Sequence, residues 1–313
     1  MKATDYRSFA DVWEARATIR TRPRRLVEDD QRLIYPLSRQ PLVLSATFQR
    51  ECPQLRDFVL VQSLYKFIND VVIFETEIVD HTARRIAKDR FAVRFPFACR
   101  YDAMTVVVDE DYHALVAMDF LQQTIALTGI EPIELPGEIE LSRAIPAALA
   151  QVPEGLRDAL ELICVGIAEN TLTDDVAAFA RDASVKPSVK GLMADHLLDE
   201  GRHSSFWARL TRIYWQAAPQ AERETIARVL PVFLGQYLTS DIQQAFDLGL
   251  IAVLPVDEPV RQALRDEVGG LAYPISRQHP LLSNILRFFR SSSMLDSPCV
   301  QLALQDYLPG ETT

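Results

Sequence analysis

The sequence is poor in the features that mark most specialised protein classes. Its four cysteines, Cys52, Cys99, Cys164 and Cys299, are widely spaced and form no Cys-x-x-Cys pair. That excludes a disulfide scaffold and a thiolate metal site, and leaves reduced thiols. Apolar runs such as 248–255 and 71–74 fall well short of the roughly 18 residues that a membrane span needs. The start, MKATDYRSFADVWEAR, has no apolar targeting core, so the expectation is a cytoplasmic protein. Eleven glycines in 313 residues with no repeat exclude collagen and flexible linker arrays. Positive charge is also scarce. Thirty-three basic residues face 43 acidic ones, a net charge of -10, which argues against a protein held on nucleic acid by phosphate contacts. The one basic cluster, Arg20, Arg22, Arg24 and Arg25, sits beside Glu28, Asp29 and Asp30 and reads as a solvated N-terminal turn.

What is abundant is helical periodicity. Apolar residues make up 48% of the chain and recur at spacings of three and four, while alternating runs are almost absent. The expectation is an all-α fold, with residues 1–313 as a single domain. A first long helix is expected over about Gln54–Asp89, a second over Arg100–Thr128 stopped by Gly129, a third over Glu154–Asp182 and a fourth over Pro187–Ala218. Further helices are expected within 221–253, 259–269 and 279–290, then a loop-rich tail from Ser291 ending in a frayed GETT. The Pro- and Gly-bearing segment 129–153, with PIELPGEIE at its centre, reads as a long crossover. Such a connection joins the halves of some four-helix bundles.

Two of the five histidines fall in two motifs of one form: Asp109-Glu110-x-x-His113 and Asp199-Glu200-x-x-His203. With 19 Glu and five His, chance places about 0.3 Glu-x-x-His pairs in such a chain. Residues three apart share a helix face, so each Glu and His can converge on one metal ion. His196 precedes Glu200 by four and extends that stripe. Each motif is preceded by a Glu in an apolar helical stretch, Glu75 in VVIFETEIV and Glu169 in LICVGIAEN. A buried carboxylate costs several kcal/mol unless it is paired, metal-bound or protonated. A lone buried Glu is ordinarily structural, and a lone Glu-x-x-His is ordinarily coincidence; the repeated pattern is what points to two metals.

Four Glu and at least two His from four bundle helices are the donor set of ferritin-like di-iron or di-manganese carboxylate proteins. Iron or manganese suits it better than copper or structural zinc. By pattern Glu75 and His113 hold one metal, Glu169 and His203 the other, and Glu110 and Glu200 bridge. Glu77 points away from the Glu75 stripe. Asp109 and Asp199 are candidates to accept the outer N–H of a histidine from another helix, or are simply surface acids. His81 and His279 read as surface residues.

Glu75, Glu110-x-x-His113, Glu169 and His196-x-x-x-Glu200-x-x-His203 together resemble the di-iron aminoarene N-oxygenases of the p-aminobenzoate N-oxygenase type, within the ferritin-like superfamily. The likeness spans residues 60–210. His196, one turn before the second motif, is what looks like this family rather than ferritins, desaturases or ribonucleotide reductase small subunits. The resemblance implies a ferritin-like four-helix core with additional helices at both ends. It implies two Fe ions (Mn as the alternative) held by Glu75, Glu110, His113, Glu169, His196, Glu200 and His203, with O2 as co-substrate. An amine nitrogen would be oxidised through hydroxylamine and nitroso stages to nitro, by way of a di-iron peroxo species. It also implies an external electron donor, a small-molecule amine substrate that could be carrier-bound, and a homodimer, with neither membrane nor nucleic acid as partner. Near the expected pocket lie Phe67, Asp70, Phe74, Leu172, Thr173 and Val176; Asp70 would sit badly beside a substrate carboxylate. The competing readings are a di-iron carbon hydroxylase or desaturase, a ferritin- or manganese-catalase-like protein, and a metal-free helical scaffold.

Overall fold

The structure, a computed structural model, describes residues 6–28, 30–271, 279 and 281–308, and of residues 172–175 only the backbone. Helix follows helix: α1 (Ala10–Arg16), α2 (Thr18–Thr21), α3 (Pro41–Leu44), α4 (Ala46–Glu51), α5 (Arg56–Ile73), α6 (Asp80–Ala87), α7 (Phe97–Thr128), α8 (Glu140–Leu149), α9 (Glu154–Arg181) and α10 (Pro187–Ala217). After these come α11 (Gln220–Tyr237), α12 (Asp241–Val253), α13 (Glu258–Gly269), α14 (Leu282–Ser291) and α15 (Pro298–Ala303). Among the described residues there is no β-strand, only an isolated parallel bridge between Leu33 and Val185. The fold is all-α, consistent with a ferritin-like bundle.

The rod α5–α6, α7, α9 and α10 form the bundle: the rod packs on α7, α9 on α10, and α10 on α7. Local chemistry sets their ends. α7 stops at Gly129, whose φ of 68° is left-handed and costs glycine nothing, with its N–H returning to the Ile125 carbonyl. α10 starts with Pro187 in its first turn, where a missing N–H is harmless. The β-branched run Thr105–Val108 does not interrupt α7, because burial of Val106 and Val107 outweighs their weaker helix propensity.

The buried apolar residues fall into two clusters. One takes Ile78 from the rod, Val107 from α7, Ile167 from α9 and Phe206 from α10. The other takes Ile68, Ala117, Val176 and Met193 from the same four elements. The clusters occur in opposite order along the rod and α10 compared with α7 and α9. Hence α7 and α9 run parallel, and the chain must travel the length of the bundle between them. Residues 129–153 are that crossover. Between the clusters α7, α9 and α10 each carry polar residues, and Glu75 follows directly on Ile73 and Phe74.

Several expectations need adjusting. The crossover is extended only to Ile139 and then forms α8, which buries Leu141, Ala144, Ile145 and Ala148 at helical spacing despite Pro146 within it. The first helix is not uniformly α: Phe74–Val79 is a π-helical turn, where the Thr76 hydroxyl donates to the Val72 carbonyl at 2.6 Å. The tail from Ser291 contains α15, and the terminal GETT lies outside the described residues. The four cysteines are free, and Cys164 is fully buried.

Candidate metal centre

All seven residues singled out by the sequence meet in the polar layer between the two apolar clusters. Glu75 comes from the π-turn, Glu110 and His113 from α7, Glu169 from α9, and His196, Glu200 and His203 from α10. Their donor atoms form two groups, each within 4.8 Å: Glu75, His113, His196 and Glu200, and Glu110, Glu169, Glu200 and His203. Glu200 belongs to both. Its Oε1 lies 3.3 Å from His196 Nε2 and 3.2 Å from His203 Nδ1. Glu110 also spans the groups, with Oε1 2.9 Å from His203 Nδ1 and Oε2 3.3 Å from His113 Nδ1. Glu75 Oε1 lies 3.6 Å from His113 Nδ1 and 3.4 Å from His196 Nε2. The His113 and His196 rings stack with centroids 4.3 Å apart. Glu77 is exposed, as its place off the stripe implies, and His81 is largely exposed.

The donor set fits two cations. Glu75 Oε2, Glu110 Oε1, Glu200 Oε1 and His203 Nδ1 are buried with no hydrogen-bond partner among the described residues; the 2.9 Å approach of Glu110 to His203 is out of line for one. Four buried carboxylates at one level call for positive charge. Burial pushes the Glu75 carboxyl up to about 7, against the pull of His196 and His113. Burial also raises Glu169, reinforced by the Glu200 and Glu110 carboxylates. Burial alone would raise Glu110 and Glu200 too, but His203 beside both holds them below the usual carboxylate range. His113 and His203 move well above an ordinary imidazole: the acids facing them outweigh the burial that would lower them. Hard carboxylate oxygens with three imidazoles suit iron or manganese.

Two aspartates stand behind the histidines and do so crosswise. Asp199 of α10 lies 3.1 Å from Nε2 of His113 on α7, and Asp109 of α7 lies 3.2 Å from Nε2 of His203 on α10. Each leaves Nδ1 of its histidine facing the centre. Arg202 donates to both aspartates, 3.0 Å from Asp199 Oδ1 and closer to Asp109 Oδ2. Arg202 escaped the sequence reading, although its place inside the second motif, one turn after Asp199, was a signal.

A cavity of about 310 Å³ opens onto one side of the centre. His113 and His196 form its floor; Phe67, Val71, Val116, Leu192 and Met193 are among its apolar walls. Of the residues expected near it, Phe67 and Val176 line it, whereas Phe74 belongs to the buried core and Asp70 pairs with Lys66 at 2.5 Å. The side chains of Leu172 and Thr173 lie outside the described residues. The arginine cluster is solvated, as expected, but it is also anchored by ion pairs. Arg22, Arg24 and Arg25 line the cavity mouth, where Arg24 binds Asp119 of α7 and Arg25 binds Asp195 of α10 at 2.5 Å. Gly191 leaves room for this: a Cβ there would sit 2.9 Å from the Arg25 guanidinium. The pairings of Arg24 and Arg25 were not readable from the sequence because their carboxylate partners lie 95 and 170 positions away.

Residues 8–268 match the protein family described as P-aminobenzoate N-oxygenase AurF. A relative from Streptomyces thioluteus named 4-aminobenzoate N-oxygenase is 26% identical over 247 residues, covering 78% of this chain and 72% of the relative. Among the described residues no helix is long and apolar enough to cross a membrane.

Proposed function

This chain belongs to the p-aminobenzoate N-oxygenase family, and on that footing we propose that Glu75, Glu110, His113, Glu169, His196, Glu200 and His203 hold two iron ions beside a pocket for an arylamine. The observation that carries the reading is the pair of buried donor groups sharing Glu200 and adjoining the cavity through His113 and His196. Such ions supply redox chemistry with O2 when bound. One O2, two electrons and two protons turn an amine into a hydroxylamine and water; repeated oxidation leads through nitroso to nitro. The electrons come from an external donor. Glu75, His113, His196 and Glu200 form the group at the cavity, and Glu110 and Glu200, which reach both groups, would be shared between the two ions.

The protein's own part is to bind and orient. The apolar walls would hold an aromatic ring and exclude water from it, which directs the amine toward His113 and His196. Asp199 holds His113 with its proton on Nε2, leaving Nδ1 free to donate a lone pair; Asp109 does the same for His203. At the mouth, Arg22, Arg24 and Arg25 alternate with Asp119 and Asp195, a polar rim suited to the charged or polar end of the substrate.

We propose a homodimer formed through α7, where Phe97, Tyr101, Met104, Leu115 and Met118 are exposed at heptad spacing. Sedimentation of the wild type and of Tyr101→Glu tests it, with a monomer expected for the variant alone. The functional test is metal content per chain after growth with iron, followed by reduction and exposure to O2 with 4-aminobenzoate and uncharged arylamines, products read by mass. About two irons and an N-oxygenated product are expected. Two manganese ions with peroxide turnover and no amine oxidation would replace this reading with a catalase-like one, and a product hydroxylated or desaturated at carbon would replace it with the carbon oxygenase.

A further inference from the structure

We propose that Trp13 and Thr18 are positioning residues for the metal centre, each steadying the aspartate that aims one histidine across the α7–α10 interface. The inference rests on the seven-residue metal site proposed above. Trp13 Nε1 donates to Asp109 Oδ1 at 2.9 Å, the oxygen opposite the one facing His203. Thr18 donates twice to Asp199 Oδ2, from its hydroxyl at 2.5 Å and its backbone N–H at 3.2 Å, and this oxygen also faces His113. Arg202 occupies Asp109 Oδ2 and Asp199 Oδ1.

The consequence follows from counting hydrogen bonds on each carboxylate. With Arg202 and the histidine alone, Asp109 would carry both partners on Oδ2 and could swing about that oxygen. Trp13 ties down the other. Asp199 has its two oxygens divided between Arg202 and His113, and Thr18 fixes the plane from the His113 side. Two side chains five residues apart, on two short helices at the start of the chain, therefore each govern a different histidine. The same segment runs on into the cavity wall through Thr18 and Arg22, so one stretch of chain touches both the substrate space and the supports of the metal ligands.

The test uses the full-length metal-free protein, titrated with Co2+ against a competing chelator, with the visible Co2+ absorption as the geometric readout. His196→Ala identifies the affinity of the cavity-side ion. Thr18→Val is expected to weaken that ion about 10- to 100-fold and leave the other near wild type, and Trp13→Phe is expected to do the reverse. Thr18→Ser, which keeps the hydroxyl, should restore both affinity and spectrum, and it also carries the test against Thr18→Ala if the valine variant does not fold. Wild-type affinities and spectra in both variants would overturn the proposal. So would an equal weakening of both ions with a lowered melting temperature, which is what a merely structural role predicts. A wild-type chain that binds no stoichiometric metal would instead overturn the metal reading beneath it.

Discussion

The two donor groups share Glu200 but face different surroundings. The group of Glu75, His113 and His196 is open through its histidines: His113 and His196 line the cavity, and the His196 side chain is 15% exposed, while Glu75 is buried beside them. Glu110, Glu169 and His203 lie behind them, none at the cavity and none more than 1% exposed. The open group has two imidazoles and one carboxylate of its own, the closed group two carboxylates and one imidazole. On the proposed two-metal reading the difference would divide labour: the closed group would retain its ion, while the open one would exchange a position with substrate or O2. Retention needs satisfied, immobile ligands, and reactivity needs a free face.

The largest expected effect falls on the residue that joins the groups. Glu200→Ala should reduce metal content from about two ions per chain to near zero, with helical circular dichroism retained and N-oxygenation lost. A variant that keeps one ion would show that the groups are not coupled through Glu200. His196→Ala is the sharper tool. It should cost the open group its ion, leaving about one per chain, with turnover down at least about 100-fold; loss of both ions would show that the closed group cannot stand alone. Filling the cavity separates space from chemistry. Val116→Trp should leave two ions bound and raise KM for an arylamine by about 10-fold or more, read from steady-state kinetics and metal analysis on the same sample.

The smallest effect lies outside both groups and sets the background for comparing them at different pH. Asp80 follows the π-turn; burial pushes its carboxyl up to about 8, against Arg84 at 2.8 Å. The unfolded carboxyl titrates near 4, so between about pH 4 and 8 the folded state binds a proton that the unfolded state has released. This contribution is fully present below the unfolded pKa and is lost as pH rises through about 8. Urea midpoints at pH 5.5 and 8.5 should fall with rising pH in the wild type and fall less in Asp80→Asn. An equal fall in the variant would assign the slope elsewhere.

The sequence made the bundle and the seven-residue cluster legible for one physical reason: both are written in short-range spacing. Gly129 and Pro187 punctuate helices locally, and Glu110 with His113, or His196 with Glu200, share a face by helical geometry alone. The crossed aspartates were half legible: a histidine on another helix was the expected partner, but their spacing fitted surface acids equally well, and only the packing of α7 on α10 shows which histidine each one holds. What stayed hidden depends on partners remote in the chain. Nothing near Trp13, Thr18 or Arg25 says that Asp109, Asp199 or Asp195 will receive them. The π-turn was hidden for a different reason: VVIFETEIV is as good an α-helical sequence as a π-helical one, and the hydroxyl of Thr76 shows its bond to Val72 only once the backbone is in place.

The crossed aspartates bear on how the protein is born. Synthesis runs from the N-terminus at about 5–20 residues per second, and Glu110 and His113 emerge well before their supports. Asp199 follows His113 by 86 positions, and Glu200 comes with it. A ribosome-bound chain ending before α10 would thus offer a metal ion Glu75, Glu110, His113 and Glu169, without the three α10 donors or the aspartate behind His113. On the proposed two-metal reading, loading would be deferred until the last bundle helix has docked, so that a redox-active ion would not be captured by a chain still open to solvent. Truncated or stalled products would leave the ribosome without iron.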